Sequence, residues 1–136
     1  MSDKIIKNGF ILAALMNIGG VLLFSKAFTN TAINGADPVV MSNFGLLMIM
    51  VWGLAYLGAA FVQSSMAYLA AAFAIEKLVY FVVWVIWMMN NSLSAVYQND
   101  LFAGIFYTIY GMNDFAFMAF FAWVSYVHFS KSTPAG

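Results

Sequence analysis

The sequence predicts an all-α fold, an integral membrane bundle of four transmembrane helices running antiparallel, up-down-up-down. Three observations carry that prediction. Of 136 residues, 65% are hydrophobic and only 7% are charged, too few charges to keep a soluble domain of this size dispersed. The apolar residues gather into long runs at residues 9–28, 44–62, 67–89 and 101–129. Each run approaches or exceeds the roughly 20 residues needed to cross about 30 Å of hydrocarbon. The shorter alternating segments of a membrane β-barrel are missing.

The first run follows Lys4 and Lys7. Ser25-Lys26-Ala27 loosely resembles a signal cleavage site, but the run is longer than a signal core and reads as a span. Residues 29–43 form a polar loop with the turn dipeptides Asn34-Gly35 and Asp37-Pro38. Ser42 or Asn43 is placed to cap the second helix. A short link around Gln63-Ser64-Ser65 predicts that the second and third helices form an antiparallel hairpin. Residues 90–100 are rich in Asn and Ser, and Ser94 or Asn99 there starts a short amphipathic piece or a cap. No repeat interrupts the chain, so residues 1–136 are expected to form one domain.

Lys4, Lys7 and Lys131 gather at one end of this arrangement, with Lys26, Asp37 and Asp100 at the other. The positive-inside rule then places both termini in the cytoplasm. Small residues spaced four apart, Gly9 with Ala13 and Ala55 with Ala59, predict close helix approach, as do Gly53 and Gly58. That approach is expected within the bundle, with a homo-oligomer face as the second reading. Trp87, Tyr97, Trp123 and Tyr126 lie towards helix ends and read as interfacial anchors.

Charged and amide side chains inside the runs are the unusual feature. With a rise of about 1.5 Å per residue, Glu76 lies about 14 Å and Asn17 about 12 Å from the cytoplasmic end, and Asp114 falls at a similar depth. Lys77 and Asn113 belong to the same layer. A charge at such depth costs on the order of 3 kcal/mol, so these groups should face inward and pair. Neighbours on a helix point about 100° apart, so Glu76 and Lys77 should reach different helices. The simplest pairing joins Lys77 to Asp114 and leaves Glu76 to Asn17, Asn113 or a tyrosine hydroxyl, with the exchanged pairing as the alternative. Two carboxylates against one ammonium leave a formal excess of negative charge, which favours the neutral form of one carboxyl in a desolvated site.

Aromatic residues extend the layer. Tyr80 and Trp84 share a face with Glu76, Tyr107 and Tyr110 with Asp114, and Trp52 shares a face with Tyr56. Gly20 and Phe24 share a face with Asn17. If these faces converge, Trp52, Tyr56, Tyr80, Trp84, Tyr107 and Tyr110 line a cavity on the outer side of the polar layer, with apolar walls and a polar floor. Ile18-Gly19-Gly20 reads as helix packing and not as a phosphate loop.

Several chemistries are excluded or disfavoured. The chain has no Cys and no Arg and carries no net charge, which removes thiolate chemistry and argues against nucleic acid as a partner. One His without thiolates makes a poor metal or haem site, so neither metal nor cofactor is expected. His128 reads as an interfacial side chain. The lipid bilayer and a hydrophobic small molecule remain as partners. Three roles stay open, with transport ranked first and ligand binding close behind, and no reaction is assigned. The first is a transporter or proton or cation relay built on Glu76, Lys77, Asp114, Asn17 and Asn113. The second is a binding protein or enzyme for an amphipathic lipid, sterol-like or quinone-like ligand. The third is an accessory subunit of a larger membrane complex. The bulk of Trp52, Tyr80 and Trp84 counts against an open channel.

Overall fold

Long apolar runs without proline become helices wherever intervening polar residues can cap their ends. The computed structural model describes residues 2–132. They form α1 (Ser2–Phe24), α2 (Thr31–Ala36), α3 (Asn43–Ala59), α4 (Ala67–Asn90), α5 (Leu93–Asn99) and α6 (Leu101–Ser132), with no strand among the described residues. Ser42 caps α3 by accepting from the Gly45 N–H at 3.1 Å. Ser92, rather than Ser94 or Asn99, caps α5 through the Ala95 N–H at 3.2 Å. Asn30 caps α2, a helix inside the segment predicted as a loop.

The first helix stops at Phe24 and not at residue 28. Lys26, Ala27 and Phe28 have φ of 51°, 55° and 68°, a left-handed turn without a glycine. Ser25 holds it. Its carbonyl accepts from the N–H groups of Thr29 and Asn30 at 2.9 and 2.8 Å, and its hydroxyl accepts from the Phe28 N–H at 2.9 Å. Because Ala27 and Phe28 are apolar, the run continues past the point where the helix ends.

Asp100 ties this turn to α6. Its carboxylate accepts from the Ala103 N–H at 2.8 Å, from the Asn30 amide at 2.7 Å and from Lys26 at 3.1 Å. These contacts, the Ala103 N–H first and then Asn30 and Lys26, hold the carboxyl below the usual carboxylate range. A lowered folded value stabilises fully above the unfolded value near about 4, and the benefit is lost as pH falls through the lowered one. Asp100→Ala is expected to cost about 1 kcal/mol at neutral pH as a lost cap. Chemical unfolding should show that difference shrinking below about pH 4. A difference that stays constant on acidification would mean that the charge contributes nothing.

Close backbone contact joins α1 to α3, α4 to α6 and, less extensively, α1 to α6. The predicted hairpin of α3 with α4 does not form as a close pair. Residue size decides this. A Cβ on Gly53 would lie 2.8 Å from Ile18 of α1, and one on Gly111 would overlap the Trp84 ring of α4, so glycine lets these pairs approach. Between α3 and α4 stand the rings of Trp52, Tyr56 and Phe73. The paired positions run in opposite directions: Lys7 meets Phe61 and Asn17 meets Ile49, Ala67 meets Ser125 and Trp84 meets Tyr107, and Phe10 meets Phe121 while Phe24 meets Phe102.

Buried residues form two apolar clusters. One gathers Phe10, Tyr56, Phe73 and Phe121 near the 60–66 link, and the other gathers Ile33, Trp87, Phe106 and Tyr107 near α2 and α5. Two described helices, α1 from Asp3 and α4, are long and apolar enough to cross a membrane by length and composition. The four predicted spans thus reduce to two on that measure. At 17 residues α3 is short, and Asn113, Asp114, Ser125 and His128 interrupt the apolar run of α6.

Candidate functional site

Between the two apolar clusters lie the polar side chains that the helical rise puts at one depth. Asn17, Glu76, Lys77 and Asp114 are all buried. The Lys77 ammonium donates to Asp114 Oδ1 at 2.7 Å and to Asn17 Oδ1 at 3.1 Å. Asn17 in turn donates to the Ile49 carbonyl at 3.0 Å, tying the pair to α3. Asn113 donates to Asp114 Oδ1 at 3.2 Å. Glu76 points the other way and accepts from the Tyr56 hydroxyl. It has no cation within 4.0 Å among the described residues. The adjacent charges of α4 therefore reach different helices, as their angular offset requires.

This layer floors a cavity of about 450 Å³. Its walls come from α1, α4 and α6, where α1 stands off from α4 and leaves space. All five polar residues line it, and so do Tyr80 and Tyr110. The cavity extends from the layer towards Phe24 and Phe106, the end that carries α2 and α5. Its mouth is on the flank of the protein, where Leu15 and Leu23 of the rim are 63% and 58% exposed. On the other side of the layer the rings of Phe10, Tyr56, Phe73 and Phe121 pack at 4.9–5.4 Å between neighbouring centroids and close that end.

The remaining predicted lining residues are elsewhere. Trp84 lies against Gly111 and donates its indole N–H to the Tyr107 carbonyl at 2.7 Å. Tyr107 donates to the Ile33 carbonyl at 2.8 Å and stacks on Trp87 at 4.4 Å. Trp52 packs edge-on against Phe73, and Tyr56 sits below the layer. These four rings share helical faces with the site, but the polar tips of Tyr56, Trp84 and Tyr107 and the bulk of Trp52 are taken up in joining helices. His128 accepts the Met66 N–H on Nδ1 at 2.8 Å, which places it at the start of α4 as a structural group.

Sequence reasoning missed the apolar wall, including Leu15, Met16, Leu23, Phe106 and Ile109. Nothing in their type or spacing separates them from packing residues. Gly19 and Gly20 differ from the packing role that their place in an apolar helix predicts. A Cβ on either would meet nothing within 4 Å, so they open the cavity and do not pack a helix. Among the described residues no three His, Asp or Glu side chains converge on a metal position.

The chain's floor is chemically lopsided. Glu76 Oε1, Asp114 Oδ2 and Asn113 Oδ1 accept no hydrogen bond from the described residues and are not shut away from open space. The Tyr80 hydroxyl, the Tyr110 hydroxyl and the third Lys77 N–H add further open polar groups. The arrangement suits a molecule with an apolar body and one polar end. No known protein family, no curated protein and no solved structure matches the chain.

Proposed function

We propose that the chain is a multi-pass membrane protein of four spans, with both termini cytoplasmic, that binds an amphipathic small molecule entering its cavity from the bilayer. The carrying observation is one cavity with apolar walls, a polar floor and a mouth on an apolar flank. The apolar windows of α1 and α4 are only 33% and 17% buried, whereas a soluble core helix would be mostly covered. Continuous exposed apolar surface of this kind calls for lipid. Lys4, Lys7 and Lys131, the last 3.7 Å from Asp3, share one end, and Lys26 beside Asp100 lies at the other.

This reading places the second of the three roles ahead of transport. A relay needs a path on both sides of the layer, and the ring cluster of Phe10, Tyr56, Phe73 and Phe121 fills one side. The relay reading keeps one support, which is that Glu76 faces the cavity with no cation partner.

Gly20→Leu tests the proposal. The side chain enters open space, and losing a helical glycine is worth up to about 1 kcal/mol. The variant should fold at least as well as the parent and fill the cavity. Native mass spectrometry of protein released from neutral detergent is expected to show a retained small amphiphile on the parent and none on Gly20→Leu. Identical spectra for two equally stable proteins would sink the proposal.

A further inference from the structure

The polar floor carries information about which end of a ligand it accepts. Lys77 is the one cation of the layer, and Asp114 and Asn17 already hold two of its three N–H groups. Of the oxygens left open, three are pure acceptors without a donor, and two of those belong to carboxylates. Glu76 has no counter-ion, and the ring of Tyr80 stands one helical turn above it along the wall. The Tyr110 ring lines the same space, and its hydroxyl meets no partner among the described residues.

Resting on the lateral-cavity reading, we infer that the ligand's polar end is a protonated amine, a single ammonium on an apolar body, seated between Glu76, Asp114 and Asn113. Three N–H donors match three open acceptors. The positive charge balances the carboxylate that Lys77 leaves unpaired, and the tyrosine faces favour a cation beside them. With Lys77 it balances the two carboxylates, so the floor and the ligand together carry no net charge. A carboxylate or phosphate head would instead add a second uncompensated negative charge at this depth, where charge is expensive. An alcohol satisfies one acceptor and leaves the charge untouched.

Three probes with one tail decide the matter: dodecylamine, dodecanol and dodecanoate. Each is added to the full chain in phosphatidylcholine nanodiscs near neutral pH. Affinity is read from the concentration dependence of the melting temperature, with Gly20→Leu as the blocked control. Charge-assisted hydrogen bonds predict that the amine binds about tenfold or more tightly than the alcohol, and that the acid gives no shift. Glu76→Gln keeps an acceptor for the Tyr56 hydroxyl. It should bring the amine down to the alcohol's affinity and leave the alcohol unchanged. An acid or alcohol that binds as tightly as the amine, or an amine advantage that survives in Glu76→Gln, overturns the ammonium assignment and leaves the cavity reading standing. Equal shifts for the parent and Gly20→Leu with all three probes overturn the cavity reading itself. If Glu76→Gln does not fold, the comparison of probes on the parent protein still decides.

Discussion

Lys77→Met is expected to destabilise the protein by about 3–5 kcal/mol, the usual cost of removing one partner from a buried ion pair. Methionine can fill the space of the lysine stem, so the loss comes from polarity and not from a void. Lys77 is 2% exposed and Asp114 6%. Without the ammonium, Asp114 Oδ1 keeps its contact with Asn113, and Asn17 Oδ1 loses its donor. The Lys77 charge also lies 5.4 Å from the Tyr56 ring, a further contact that methionine cannot reproduce. The measurement is unfolding in mixed detergent micelles, followed by circular dichroism. Lys77→Met with Asp114→Leu should recover most of the lost stability, because a buried pair and an apolar pair of similar volume are often equivalent. A single variant within about 1 kcal/mol of the parent would show that the pair does not hold α4 to α6.

The same side chains show what the sequence makes legible. Depth follows from helical rise alone, so Asn17, Glu76, Lys77, Asn113 and Asp114 gather at one level whether or not the helix ends are placed well. The different reach of Glu76 and Lys77 follows from their angular offset, and opposite charge makes Asp114 the simplest partner for Lys77 without excluding the exchanged pairing. Tertiary partners are not legible in this way. Trp84, Tyr80, Tyr107 and Tyr110 repeat at helical spacing on their two helices, yet Tyr80 and Tyr110 line the cavity while Trp84 and Tyr107 tie helices together. What separates them is whether a carbonyl of another element stands within reach of the polar tip. The turn at Lys26, Ala27 and Phe28 was hidden for a related reason. No glycine announces it, and its stability comes from Ser25 and from Asp100, 74 residues away from Lys26.

Glycine gives the sharpest case, and a second large effect. Gly111→Ala is expected to cost about 1–3 kcal/mol through overpacking, although alanine is the better helix former by about 1 kcal/mol. Its Cβ would fall 1.9 Å from Trp84 Cδ2 and 2.3 Å from two more ring atoms. The ring cannot yield freely. Its N–H is bonded to the Tyr107 carbonyl at 2.7 Å, and Phe81 and Tyr110 flank it at 6.1 and 6.5 Å. A shift that relieves the clash leaves an indole N–H without its acceptor, at about 1–3 kcal/mol if it stays buried. The near-ultraviolet circular dichroism band of Trp84 should weaken along with stability. Gly20→Ala, the same change in another helix, should instead be neutral or stabilising, since its methyl meets nothing within 4 Å. Opposite signs in one unfolding assay would separate the glycine that joins α4 to α6 from the one that keeps the cavity open. Equal effects at both positions would mean that helix propensity alone governs them, and that Trp84 does not lock the two helices together.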